Sequence, residues 1–134
     1  MATSYEIIKE INLIIMTSSG PANPEEVITM FTRIKAEPDY SITYDVLWDA
    51  RGRTVPFTNE QIMRIVSRVP VYKGDSRPKR AFLFSKDVNI GMGNVYQSYR
   101  FIKSNVDIKV FKDREEALKW LGLHDHPLLC IPRK

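Results

Sequence analysis

One cysteine, Cys130, is all the chain holds, so no internal disulfide can form and no Cys cluster has metal-ligand spacing. Such usage points to a reducing, cytoplasmic setting. Charge of one sign is also missing: 20 Lys and Arg against 16 Asp and Glu leave a formal charge of +4, the balance of an ordinary solvated surface. Nucleic-acid binding would need clustered phosphate contacts, which this balance does not indicate. Long apolar runs are lacking too. The opening MATSYEIIKEINLIIM is interrupted by Lys9, Glu10 and Asn12, too short and too charged for a signal peptide or a membrane span, so a soluble, unexported protein without membrane insertion is expected. No internal repeat, low-complexity tract or linker appears.

What remains is 134 residues with 43% hydrophobic content, the size of one domain that buries a core without disulfides or metals. The whole chain, 1–134, reads as a single unit, with 123–134 as a C-terminal tail.

Tyr5 to Lys9 and Leu13 to Thr17 are short β-type runs separated by Glu10 to Asn12, too little chain for a crossover, and predict an antiparallel hairpin. In NPEEVITMFTRI, Asn23 caps a helix, Pro24 opens it and Glu26 holds the box position. Val27, Met30, Phe31 and Ile34 then share one helical face, and Pro38 ends the helix. Ile42 to Trp48 predicts a strand, with DARGRTVPF as the loop after it. Thr58 and Gln61 form a capping-box pattern opening a second helix, whose Ile62, Ile65, Val66 and Val69 face inward until Pro70. The polar loop VYKGDSRPKR leads into AFLF, a strand of the kind covered on both faces.

A third helix follows, with Met92, Val95, Tyr96 and Tyr99 at helical spacing, then the strand DIKVF. Asp113 caps a last helix, with Glu116 in the box position, Ala117, Trp120 and Leu121 inward and Gly122 placed to end it. The order ββαβαβαβα predicts an α/β domain with a mixed, mostly parallel sheet, covering helices and right-handed crossovers.

In such a sheet, ligands usually sit outside the carboxyl ends of the strands. That rule selects Ser18, Ser19 and Gly20, then Asp49, Arg51 and Arg53, then Ser85, Lys86 and Asp87, then Lys112 and Asp113. The basic group Lys73, Arg77, Lys79 and Arg80 precedes a strand and so falls at the opposite pole, as a solvated loop in preference to a docking surface for an acidic partner.

Gly91, Met92 and Gly93 near a helix start allow either close packing or a ligand at the first turn, since glycine lets another group approach. No third glycine and no phosphate-loop lysine follows, so packing on the sheet or on a second subunit is the plainer reading. Catalytic sets are hard to assemble. His124 and His126 lie in the tail without further ligands, no Ser or Cys nucleophile has a recognisable base, and Cys130 beside Leu128, Leu129 and Ile131 reads as a packed hydrophobe. Asp49 as a base with Arg51 beside it is the one catalytic alternative, against the commoner role of a strand-end Asp in capping a loop. No cofactor or metal is expected.

The stretches KRAFLFSKDVNIGMGNVYQSY, YDVLWDARGRTVPFTNEQI and VDIKVFKDREEALKWL resemble the SpoIIAA-like proteins, a bacterial group of the STAS superfamily related in fold to anti-sigma factor antagonists and to CRAL-TRIO lipid-transfer domains. The resemblance spans roughly Tyr5 to Leu121. It implies a small α/β domain without catalysis that binds a protein partner or an apolar ligand. Anti-sigma antagonists carry a phosphorylatable serine in an Asp-Ser-x-Gly turn; the matching stretch here is Asp49-Ala50-Arg51-Gly52, with alanine in place of the hydroxyl, which puts kinase-controlled switching there in doubt.

The leading expectation is therefore a cytoplasmic, non-enzymatic binding module, in which a protein partner or a second copy docks at Asp49, Arg51, Arg53, Ser85, Lys86, Asp87, Gly91, Met92 and Gly93. The alternative is a carrier of a lipid or other small apolar ligand held among Trp48, Phe57, Met92 and Tyr96.

Overall fold

The computed structural model describes residues 2–20, 23–53, 58–68, 72–84 and 105–124. Strand β1 (Ala2–Ile8) turns through a single 3-10 turn, Lys9–Ile11, into β2 (Leu13–Gly20), and the two pair antiparallel from Ala2 opposite Ser19 to Ile8 opposite Leu13. Asn12 closes the turn at φ 54°, ψ 46°, a left-handed conformation that asparagine tolerates better than most residues. The expected hairpin is present, with both strands longer than their apolar runs.

Helix α1 (Pro24–Ala36) begins where its sequence says it should. The Asn23 side chain accepts hydrogen bonds from the backbone N–H of Glu25 and Glu26, and Glu37, the residue before Pro38, leaves the helix in an extended conformation. Strand β3 (Asp45–Arg53), helix α2 (Asn59–Arg68), strands β4 (Lys79–Leu83) and β5 (Asp107–Phe111) and helix α3 (Arg114–Trp120) follow. Thr58 and Gln61 form the reciprocal capping box of α2: the Gln61 backbone N–H donates to Thr58 Oγ1 at 3.1 Å, and the Thr58 N–H donates to Gln61 Oε1 at 2.9 Å. Helix α3 starts with its Glu115 N–H donating to Asp113 and ends at Gly122, φ 76°. There the Leu123 N–H reaches Leu118 O at 2.8 Å and the Gly122 N–H reaches Lys119 O, a Schellman stop that requires the left-handed residue.

The five strands lie in chain order, with β2 through β5 parallel and β1 antiparallel on the edge. The period-two alternation of strands divides the core into two layers. On one face Ile14, Met16, Val46, Trp48, Phe82 and Ile108 meet Val27, Met30 and Ile34 of α1 and Ile65 of α2. On the other, Leu13, Leu47, Ala81 and Leu83 meet Ala117, Leu118 and Leu121 around α3. With α1 and α2 on one face and β3 and β4 added in sequence, the β2–α1–β3 and β3–α2–β4 crossovers take a common hand, as parallel units do. Strand β4 is buried on both faces, as expected for AFLF.

Three expectations change. The strand expected over Ile42 to Trp48 starts at Asp45 and runs to Arg53, because residues 41–44 form a turn and DARGR continues the sheet beside β2. The basic group at the amino pole is not a solvated loop throughout. Lys79 and Arg80 belong to β4, the Lys79 ammonium donates to Trp120 O at 2.9 Å and stands over the Trp120 ring, and Arg77 pairs with Asp107 at 2.7 Å. Trp120, expected inward, is half-buried and leans on Phe111, while Leu118 takes the inward place. The helix expected around Met92, Val95, Tyr96 and Tyr99, the side chains of Ile62 and Val66, residue Val69 and the tail from 125 onward lie outside the described residues.

Candidate functional site

The carboxyl edge of the sheet is shaped by an irregularity in β3. Thr17 of β2 pairs with Asp49, but the next pair is Ser19 with Gly52, so Ala50 and Arg51 together stand opposite Ser18. This is a β-bulge, rare between parallel strands, and bulges redirect side chains near functional sites. Its two halves are fixed differently.

On the α1 face, Ser18 is buried, and its hydroxyl accepts a hydrogen bond from Trp48 Nε1 at 2.9 Å. Ala50 is buried beneath it with no exposure at all. Ala50, expected in a turn, is thus inside the core and within a strand. Gly52 allows a close approach here: a Cβ would stand 3.0 Å from Ser19 Cβ and 3.1 Å from Ser18 O, closer than ordinary contact.

On the other face, the Asp49 carboxylate gathers three donors from one residue. The Arg51 backbone N–H reaches Oδ1 at 3.1 Å, Nε reaches Oδ1 at 3.0 Å and the guanidinium terminus reaches Oδ2 at 2.8 Å. The carboxylate therefore satisfies the N–H displaced by the bulge and orients the planar fork at once. Burial pushes the Asp49 carboxyl upward, but the hydrogen bonds from the Arg51 side chain and backbone, with the charges of Arg51 and Arg114, outweigh it and hold the group below its ordinary value. The Asp49 hydrogen bond raises Arg51 in turn, burial opposes this, and the charges of Asp49 and Asp113 add to the rise. The charges of Arg114 and Asp113, at the start of α3, thus add to those of the Asp49–Arg51 pair at this edge.

A group held low stabilises the fold above its unfolded value and stops doing so as pH falls through the folded one. Asp49→Asn is therefore expected to cost about 1 kcal/mol near neutral pH, the pair being partly exposed. The gap between wild type and variant should close as the pH drops below the ordinary value of 3.8, and urea melts at stepped pH would show it.

Of the other residues expected at this edge, Ser19 and Gly20 end β2 and Arg53 ends β3, while Lys112 and Asp113 are exposed beside α3. Ser85, Lys86, Asp87, Gly91, Met92 and Gly93 lie outside the described residues. Arg114 was not expected; its place in the first turn after a strand was the available signal. Helix α3 lies on β4 and β5, and toward β1 the same face exposes Ser4, Glu6 and Thr17.

A second feature lies at the opposite pole, on the α1 face. A cavity of about 60 Å³ opens between α1, the 40–44 turn and the starts of β3 and β4, lined by Phe31, Ile34, Tyr44, Val46, Trp48 and Phe82 among others, with Lys35 and Arg80 as its cations. Arg80 holds the turn in place, one guanidinium nitrogen donating to Tyr44 O at 2.7 Å and the other to Ile42 O at 3.2 Å. Sequence reasoning missed this site, although it named Trp48 for an apolar ligand. Phe57, Met92 and Tyr96 of that set lie outside the described residues.

Among the described residues, no helix is long and apolar enough to cross a membrane, and no group of three or more His, Cys, Asp or Glu could hold a metal ion.

No family model matches the chain, and no curated protein matches its sequence. A solved structure does: an uncharacterized protein of the DUF3478 family with a SpoIIAA-like fold, from Shewanella loihica, similar at TM-score 0.57 and 14% identity over 90% of this chain and 92% of that one. The SpoIIAA-like α/β fold expected from sequence is borne out, and at this identity the likeness speaks for fold alone.

Proposed function

We propose that the protein is a non-catalytic binding or regulatory module, cytoplasmic and bacterial, that meets a protein partner or a second copy of itself at the carboxyl edge of its sheet. The complete order ββαβαβαβα, with a helix covering the sheet between β4 and β5, belongs to this reading. The observation that carries it is the bulge at Ala50 and Arg51, which spends a buried Ser18–Trp48 hydrogen bond and an Asp49 carboxylate on presenting one oriented guanidinium at the edge. Arginine fixed in this way loses little freedom on binding and is over-represented among residues that dominate interfaces. A carboxyl held ionised by its neighbours makes a poor general base near neutral pH, which weighs against the catalytic alternative at Asp49.

Arg51→Ala with Lys112→Ala is expected to weaken capture of the partner at least about tenfold, since truncating an arginine at an interface hot spot costs about 2 kcal/mol or more. Quantitative affinity purification from the native host, against Lys73→Ala at the far pole as control, measures it. Equal capture by both variants would remove the carboxyl edge from consideration.

The carrier reading keeps one specific support, the cavity that Trp48 lines. At about 60 Å³ it is far below the roughly 300 Å³ at which ligand pockets begin, so a whole lipid does not fit it as it stands.

A further inference from the structure

Strand β1 ends the sheet without the devices that usually protect an end. Natural edge strands are kept from pairing by shortness, by lysine or proline, or by a bulge. The opposite edge, β5, follows that rule, with five residues, an exposed Lys109 and Asp107 held by Arg77. β1 does not: it runs seven residues beside β2 with no shift of register, carries no lysine or proline, and has Glu6 as its one charged residue. Thr3, Tyr5, Ile7 and Ile8 are residue types that favour strands. Among the described residues, β2 is the one strand paired with β1, so the outer row of its backbone N–H and C=O groups is a template for a further strand.

Helix α1 indicates which strand that is. It packs against β1, and as the crossover between parallel β2 and β3 it runs against β2, hence in the same sense as β1. Glu25 and Glu26 stand in its first turn, Arg33 and Lys35 in its last. An open groove of about 580 Å³ lies between β1 and α1, with Ser4, Glu25, Glu26 and Arg33 in its lining. A second copy brought up antiparallel, β1 against β1, carries its own α1 end for end on the same face. The acidic first turn of each helix then faces the basic last turn of the other, and the two helix dipoles oppose. Both acids keep partners within their own copy, Glu25 with Arg64 at 3.2 Å, so Arg33 of the second copy extends alternating rows of charge and needs no vacancy. We propose that two copies of the chain join β1 to β1 about a two-fold axis, making one sheet of their two five-stranded sheets, with α1 beside α1. The proposal stands on the edge strand and is independent of docking at the carboxyl edge, so either can fail without the other.

Sedimentation velocity from about 1 to 100 μM, where an interface of ordinary size commonly associates, is expected to show a reversible monomer and dimer. Ser4→Lys with Glu6→Lys, both at exposed positions, sets four lysines around the axis and should weaken the dimer at least about tenfold while leaving the unfolding midpoint of the monomer nearly unchanged. Arg33→Glu should weaken it about two- to fivefold, as for exposed ion pairs, and Glu26→Arg added to it should restore the affinity. If the lysine variant does not fold, hydrogen exchange on the unaltered chain takes its place: amides of β1 should slow as concentration rises, and those of β5 should not. A monomer throughout the range, a dimer that the lysine pair leaves intact, or exchange in β1 that ignores concentration overturns the proposal.

Discussion

Trp48→Phe is expected to lower the free energy of unfolding by about 2–4 kcal/mol, the cost of trimming a large buried ring and leaving a buried hydroxyl without its donor. Trp48 fills the centre of the α1-face core, edge-on to Phe82 with ring centroids 5.4 Å apart and in a similar arrangement with Phe84, and its Nε1 donates to Ser18. Ser18 is 1% exposed, so water cannot replace that donor. Ser18→Ala alone should cost about 1–2 kcal/mol by stranding the indole N–H instead. Because each single change leaves a buried group unsatisfied and the double change leaves neither, Ser18→Ala with Trp48→Phe should cost less than the sum by about 1 kcal/mol. Urea unfolding of the four proteins measures the coupling, and strict additivity would mean that the hydrogen bond does not support the bulge.

Leu118→Ala is expected to cost about 2–4 kcal/mol, the usual range for emptying a buried leucine site. Helix α3 is seven residues long, and a helix so short has little stability of its own in water. It holds to β4 and β5 through Ala117, Leu118 and Leu121, each less than a tenth exposed. Hydrogen exchange should therefore quicken through the α3 backbone more than through α1. The same loosening should reach the carboxyl edge, because the charges of Asp113 and Arg114, at the start of α3, add to those of the Asp49–Arg51 pair. A variant that loses stability evenly, with no local rise in exchange at α3, would show that α3 is not a separable cover.

The elements that proved legible are those whose signal is local. Caps at Asn23, Thr58 and Asp113 and the stop at Gly122 set helix ends through bonds within a few residues, and each sits where the sequence placed it. Buried strands such as AFLF show themselves by continuous apolar runs. The end of β3 was misplaced for a physical reason. DARGR has no apolar alternation, and its strand character comes from pairing with Ser19 and Gly20, which lie far back in the chain. Gly52 was the single clue, since an isolated glycine in a strand marks a bulge or a close approach.

The candidate site was half legible. Topology brought Asp49, Arg51 and Asp113 to one edge by rule, but the fork between Asp49 and Arg51 and the nearness of Arg114 depend on the bulge and on where α3 docks. The amino-pole cavity was not legible, because Lys35, Tyr44 and Arg80 are brought together from three separate elements. Arg80 read as part of a basic loop because Asp75, Ser76, Arg77 and Lys79 before it are polar, and only the structure shows it turned back on the carbonyls of the 40–44 turn.

The most direct test of partner docking is photo-crosslinking in the native host, with a benzophenone side chain placed singly at Thr17 or Glu116, both exposed near the carboxyl edge, and at Asp39 or Lys73, both exposed at the opposite pole. A discrete adduct from Thr17 and Glu116, with none from Asp39 or Lys73, is the expected result. Adducts confined to Asp39 and Lys73, or none from any of the four, would contradict docking at the carboxyl edge.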